Sequence, residues 1–452
     1  MQRGSSGLGG GAHSHGIGLH GAPLRSAVGR IVFPSRAPPY REDRFDRQAR
    51  KPQRVAAIAT PRKTRNGLLL TLPLLAFIAV FFAAPIGAML WRSVSNPLPA
   101  SLMPRTAAVL ASWDAQALPG EDAFAAVVED LKNLPNKQDA ARLGAQLNFE
   151  LGGLNSLMRK TAREAGKLTP LYAASLAKLD AAWGKRATWA ALSVGLQTFT
   201  AKNYLAALDL RYGEDLSVIQ APDRDRLYIM LFVRTAWVAA LVAAICLVLG
   251  YPLAHLLATA GPKTAGLLMI LLLLPFWTSL LVRTTAWIVL LQSQGVVNDA
   301  LVWLGVISDE GRIQLVYNMT GTLIAMTQIL LPFMVLPLYS VMKTIPPVYL
   351  KAATSMGARP FQGFWRVYLP MTMPGVAAGV LLVFILAVGY YITPALVGGA
   401  SGQLISNWIA YHMQQSLNWG LAAALGGLLL FGVILLYLAF NKIAGADRLR
   451  FG

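Results

Sequence analysis

The residues with chemistry to offer are few, and most lie in one basic stretch, 351-KAATSMGARPFQGFWRVYLPMTMPG-375. Lys351, Ala352 and Ala353 belong to a helix-like piece that ends at Gly357, a residue able to adopt positive φ. Pro360 can open a second short helix. On it Phe361, Phe364, Trp365 and Tyr368 recur at i, i+3, i+4 and i+7, an apolar stripe on one face. Pro370 and Pro374 then end that helix and lead into a long apolar run. Two short helices with exposed aromatics suit a plug for a protein groove. The other reading of the stripe is an aromatic helix lying on a bilayer surface.

Arg283 is a lone charge inside another apolar run. A charge at that depth costs at least about 2.5 kcal/mol unless it faces protein, water or a helix end. It reads either as a partner of backbone carbonyls or snorkelling residue, or as the lining of a pathway. The apolar runs contain no Asp or Glu. Part of the task of holding a cation would then fall to aromatic faces, with Trp277, Trp287, Tyr390 and Tyr391 as candidates. Acids on a partner chain, or simple packing and interfacial belt positions for these rings, are equally open. Catalytic constellations do not occur: there is no H-E-x-x-H, no paired carboxylate within the runs and no G-x-x-x-x-G-K-[ST] loop for nucleotide phosphates. His255 and His412 are isolated, and His13, His15 and His20 sit in a Gly-rich tract with nothing rigid to hold a metal. Cys246 is the only cysteine, which excludes a disulfide within the chain. The expectation is neither an enzyme nor a metal or cofactor protein.

The elements that must position these residues follow from hydropathy. Of 452 residues 55% are apolar and 13% charged, about half the charge of a soluble protein. Leu68 to Leu90 is an uncharged run of 23 residues, roughly 34 Å as a helix and enough for a bilayer core of about 30 Å. It reads as an uncleaved first transmembrane helix. Further spans are expected at 228–258, 264–292, 316–342, 375–397 and 421–440, because backbone groups in lipid must bond internally. The fold class is an all-α membrane protein of six transmembrane helices. The more polar piece 401–418 between the last two reads as interfacial or re-entrant. In domain terms the reading is a disordered basic tail at 1–65, a first transmembrane helix at 66–91, a helical insertion at 92–227, and a five-helix core at 228–442. That core holds the basic loop 343–374, and a short tail follows at 443–452. The insertion is either a cap on the membrane part or a contact for a soluble partner.

Charge then orients the chain. The segment before Leu68 has 13 basic and three acidic residues. With the loop 261–263, the loop 343–374 and the C-terminal tail it accounts for +17 of the net +19. This is the positive-inside pattern, and it puts both termini in the cytoplasm. Anionic lipid heads satisfy the juxtamembrane basic run, so no nucleic-acid partner is needed.

The basic loop resembles the signature cytoplasmic loop of permease subunits in ATP-binding-cassette importers, E-A-A, three residues, G, nine residues, I, one residue, L-P. Ala352, Ala353, Gly357, Val367, Leu369 and Pro370 fall at the matching places, and Lys351 stands where the pattern has glutamate. From about Phe232 to Leu436 the chain is similar to the first permease subunit of spermidine/putrescine importers. GYPLAHLLA, LLLLPFWTSLLVRTTAWIVLLQSQGVVNDAL, LLPFMVLPLYSVMKTIP and LLVFILAVGYYITPALVGG carry that likeness. The insertion at 92–227 departs from the shorter connection of that type. The resemblance implies a type I importer permease core in the bacterial cytoplasmic (inner) membrane that does not itself hydrolyse ATP. Its partners would be a pair of ATPase subunits, a second permease of similar fold and an extracytoplasmic solute-binding protein. The implied solute is a polyamine, with an organic anion, amino-acid-like compound or iron chelate as the alternative. Gly357 is expected to be the hinge between two coupling helices.

Overall fold

The computed structural model describes residues 71–136 and 138–444, so the tail at 1–65 and most of 443–452 lie outside the described residues. Six helical stretches among them are long and apolar enough to cross a membrane: Thr71–Val94, Asp223–Thr259, Leu280–Trp303, Met319–Thr344, Pro360–Val388 and Trp419–Lys442. The first, α1 (Thr71–Val94), ends in a segment of short helices. These are α2 (Pro97–Leu102), α3 (Pro104–Leu110), α4 (Glu121–Lys132), α5 (Asp139–Leu147), α6 (Leu154–Glu164), α7 (Tyr172–Leu179), α8 (Arg186–Gly195) and α9 (Lys202–Ala207).

Local chemistry makes these helices. Glu121 and Asp122 open α4 and Lys132 closes it, each with the helix dipole. Its Phe124, Val127, Val128 and Leu131 are all buried, as their spacing requires. They join one core with Trp183 and Trp189, both fully buried. Each indole N–H finds an acceptor, Thr161 Oγ1 at 3.1 Å and the Trp183 carbonyl at 2.9 Å, as buried tryptophan demands. Asp130 accepts from the Thr106 backbone and hydroxyl, both at 2.8 Å, and so caps the start of α3.

A hairpin that the sequence did not announce follows, β1 (Leu210–Tyr212) against β2 (Val218–Gln220), antiparallel with Arg211 opposite Ile219. It leads to α10 (Tyr228–Thr259). Asp209, at φ +57, accepts from the N–H groups of Leu227, Tyr228 and Ile229 at 2.9–3.1 Å. One carboxylate from a preceding loop therefore caps a 32-residue helix at its positive end.

The segment is keyed to the spans by α9. Asn203 Nδ2 donates to the Ser93 carbonyl at 2.8 Å, and the Ser93 hydroxyl lies 2.9 Å from Tyr204 Oη. These side chains need room on the last helix, Trp419–Ala444, and Gly420 and Gly427 supply it. A Cβ at Gly420 would stand 2.6 Å from Asn203, and one at Gly427 3.2 Å from Tyr204.

The remaining helices are α11 (Pro262–Leu273), α12 (Leu280–Leu291), α13 (Val296–Trp303), α14 (Met319–Thr344), α15 (Val348–Ser355), α16 (Pro360–Val388), α17 (Ile392–Val397), α18 (Ile405–Gln414) and α19 (Trp419–Ala444). The buried centre lies where α10, α14 and α16 cross, through Val242, Cys246, Met334, Leu338, Val383 and Ala387.

Two spans differ from the sequence expectation. The run 264–292 is not one helix: α11 tightens into a 3₁₀ turn at Leu274–Trp277, breaks at Thr278 and restarts at α12. Pro275 cannot donate to the ladder, and Ser279 accepts from Val282 N–H to cap the restart. The run 375–397 is also not one helix. Its helix begins at Pro360 and ends at Val388, with a separate short α17 beyond Gly389. Pro374 lies inside it rather than before it. A π-turn at Phe364–Tyr368 ahead of Pro370 absorbs the missing donors.

The polar piece between the last spans forms α18, with Ile405, Ser406 and His412 buried. His412 lies between Tyr228 Oη and Ser416 Oγ, each at 2.8 Å. Burial pushes its imidazole down to about 4. Between that value and the ordinary one near 6.5 the unfolded chain binds the extra proton, so stability is full above that window and lost as pH falls through it. Melting midpoints of the detergent-solubilised protein should drop from about pH 7 to about pH 4.5. His412→Gln should flatten part of that slope; an identical slope in the variant would assign the loss to other groups.

Candidate functional site

The loop between α14 and α16 is built from small residues and a turn. α15 ends in a Schellman arrangement: Gly357 N–H donates to Thr354 carbonyl and Ala358 N–H to Ala353 carbonyl, both at 3.0 Å. Gly357 has φ +88. The chain then reverses, Arg359 N–H donates to Gln362 Oε1 at 3.2 Å, and Pro360 opens α16. The two helices cross at Ala353 and Gly363, both buried. A Cβ on Gly363 would lie 3.9 Å from that of Ala353 and 3.6 Å from Leu350 Cδ2. Ala353 is thus small for a packing reason, while Lys351 and Ala352 are exposed on the outer face.

The aromatic stripe divides. Phe361 is 72% and Trp365 52% exposed, with ring centroids 5.9 Å apart. Phe364 is half-buried and Tyr368 is buried against α10. Val367 and Leu369 are half-buried, and Pro370 is exposed. The loop therefore presents a paired aromatic knob, a basic rim of Lys351, Arg359 and Arg366, and a rigid base.

The other candidate residues do not form one cluster. Trp277 is 88% exposed at the end of the broken α11. The Arg283 guanidinium donates to the carbonyls of Pro275 and Thr278. It thereby joins the Thr278 hydroxyl on the Pro275 carbonyl and pins the helix break. Trp287 packs against the cluster of Leu291, Val316 and Val397, and its indole donates to Gln328 Oε1 at 3.2 Å. The Tyr390 and Tyr391 carbonyls accept from Ser406 Oγ and Asn407 Nδ2, each at 2.7 Å. Tyr391 alone of this set borders a cleft of about 460 Å³, which Trp408, Tyr411, Asn407, Gln403 and Gln414 also line. Trp408 and Tyr411 were not picked out by sequence reasoning. Their signal was available as helical spacing of Asn407, Tyr411 and Gln414 in a piece too polar to span.

Residues 227–446 match the family described as binding-protein-dependent transport system inner membrane component. The spermidine/putrescine transport system permease protein PotB of Escherichia coli K12 is 39% identical over 200 residues, 44% of this chain and 72% of that protein. PotB of Haemophilus influenzae is 36% identical over 220 residues, 47% and 76% of the two chains. The inner membrane ABC transporter permease protein YdcU of Escherichia coli K12 is 36% identical over 228 residues, 48% and 72%. A crystal structure of a bacterial ABC transporter that imports the acidic polysaccharide alginate aligns with a TM-score of 0.40 at 19% identity, over 49% of this chain and 80% of that one. Residues 227–446 hold the crossing of α10, α14 and α16, the break at Thr278 and the Gly357 loop. The chain belongs to the inner-membrane permease family of binding-protein-dependent ABC importers, as a multi-pass transport subunit rather than a catalytic one.

Proposed function

We propose that this permease carries a polyamine, spermidine or putrescine, and that the loop 343–374 is its cytoplasmic contact with the ATPase subunits. The observation that supports the solute most is the 39% identity to PotB over 200 residues, 72% of that protein. The paired exposed rings Phe361 and Trp365 support the loop, since an exposed aromatic pair on a rigid helix base suits a protein groove. The charge distribution supports an orientation with both termini and this loop inside. In this reading ATP binding closes the ATPases, the knob moves with them, and the core helices exchange between two states that open to opposite sides. A second permease completes the pathway, and a binding protein delivers the solute from outside. Trp277, Trp287, Tyr390 and Tyr391 would meet the ammonium groups, with Arg283 holding the broken helix near the pathway. In this reading the insertion runs over 92–227 and the tails over 1–65 and 443–452.

The test is which ligand the cognate binding protein retains on purification, with uptake of labelled spermidine and putrescine by cells carrying or lacking this gene. Retention of a polyamine and gene-dependent uptake are the expected results. An organic anion is the second reading, favoured by the absence of Asp and Glu from the runs 228–258, 264–292, 316–342, 375–397 and 421–440. A binding protein that retains an anion and no polyamine would replace the first reading with it.

A further inference from the structure

The inner half of the aromatic stripe makes a directional contact that the transport family description does not assign. Tyr368 is 4% exposed, and its hydroxyl lies 3.1 Å from His255 Nδ1 on α10. One turn along α16, Thr372 Oγ1 lies 3.0 Å from Tyr251 Oη. Phe364 closes edge-on over both α10 residues, with centroids 6.1 Å from Tyr251 and 6.3 Å from His255. The Tyr368 and His255 rings stand near perpendicular at 5.1 Å. Tyr251 and His255 are four apart on one helix, and Phe364, Tyr368 and Thr372 are four apart on the other, so the rungs stack along the crossing. The π-turn at Phe364–Tyr368 sets the register. It holds one residue more than an α-turn, and one residue is about 100° of rotation for everything that follows.

We propose that the two rungs, His255–Tyr368 and Tyr251–Thr372, form a latch that makes α10 follow the loop as one body. This rests on the reading of loop 343–374 as the ATPase contact. Apolar packing alone resists separation but not sliding. A hydrogen bond in an apolar crossing is directional; breaking the His255 rung takes the partner from the buried Tyr368 hydroxyl, while Thr372 keeps its bond to the Leu369 carbonyl at 2.8 Å. The four side chains are positioning residues, since none of them is on the exposed knob.

The test uses the complete importer in lipid nanodiscs, with Cys246→Ser as background and spin labels at Met356→Cys on the loop and Thr259→Cys on α10. Both label sites are exposed. In the parent the two labels should keep one distance in the nucleotide-free and the ADP–vanadate-trapped states. Tyr368→Phe or His255→Phe, which keep a ring but lose the bond, should lose that single distance and lower ATP-driven uptake while the ATPases still co-purify. His255→Gln, which can still hydrogen-bond, should restore it, and the double Phe variant should be no worse than either single one. Parent-like distances and uptake in both Phe variants would overturn the latch. Failure of the loop reading looks different: Phe361→Asp with Trp365→Asp would then leave the ATPases bound.

Discussion

Gly379→Leu should remove most of the folded permease from the membrane. A Cβ at Gly379 would stand 2.8 Å from Met334 Sδ and 3.1 Å from the Met334 carbonyl. The thioether end could swing aside, but the backbone oxygen belongs to α14 and cannot. Gly375, four residues earlier, is also tight, 3.0 Å from Val341 Cβ and 3.2 Å from the Pro337 carbonyl. From the third helix Gly250 meets Met334 Cγ at 3.1 Å. Met334 is therefore wedged between two helices that approach it with glycine. In lipid no hydrophobic gain rewards a helix crossing, so close backbone approach carries the association. Overpacking such a site costs about 1–3 kcal/mol or more, a large share of a stability of about 5–15 kcal/mol. The measurement is monodisperse yield and melting midpoint after detergent extraction. Gly379→Ala should fall between parent and Leu, and Met334→Ala should recover part of the loss in the Leu background. Equal yield and midpoint for Gly379→Leu and parent would sink the argument.

Gly357→Val should leave the protein inserted and abundant but cut ATP-driven uptake at least about tenfold, the effect of about 1.4 kcal/mol lost from a coupling contact. Gly357 sits at φ +88 with nothing within 4 Å of a Cβ. The substitution therefore meets no neighbour and acts only through the backbone. Left-handed geometry costs an L-residue roughly 1–2 kcal/mol, and a β-branched residue more. The loop would relieve that strain by giving up the two bonds from Gly357 and Ala358 that close α15. That would re-aim Phe361 and Trp365. Gly357→Asn is the control, because Asn enters this region more readily, and it should retain most of the uptake. Parent-level uptake in Gly357→Val would show that the turn geometry does not matter to coupling.

Much of this was legible in the chain. The apolar lengths read as helices, because lipid offers no partner to an open backbone; the breaks in the runs 264–292 and 375–397 were not legible. The glycine after α15 was legible because glycine adopts positive φ at no steric cost. The stripe Phe124, Val127, Val128 and Leu131 was legible because 3.6-residue periodicity and burial are local facts. The aromatic stripe on α16 was legible as a pattern, but not its division into an exposed pair and a buried pair. Burial there depends on where α10 crosses, and no local spacing encodes a crossing.

What the sequence determined by itself is the class, most of the apolar runs and the small-residue turn in the basic loop. The tertiary structure decided the rest. It decided that the apolar run 264–292 breaks at Thr278, so that the third span is Leu280–Trp303 and Arg283 reaches back to the Thr278 carbonyl. It decided that Pro374 lies inside a helix, since an upstream π-turn had already shifted the ladder. It decided that α9 fits the Gly420 and Gly427 notches, two glycines that look like loosening when read along the chain. The physical reason is common to all three. A hydrogen-bond donor, a free carbonyl or a missing Cβ has no meaning until the partner that fills it has arrived, and that partner comes from far along the chain.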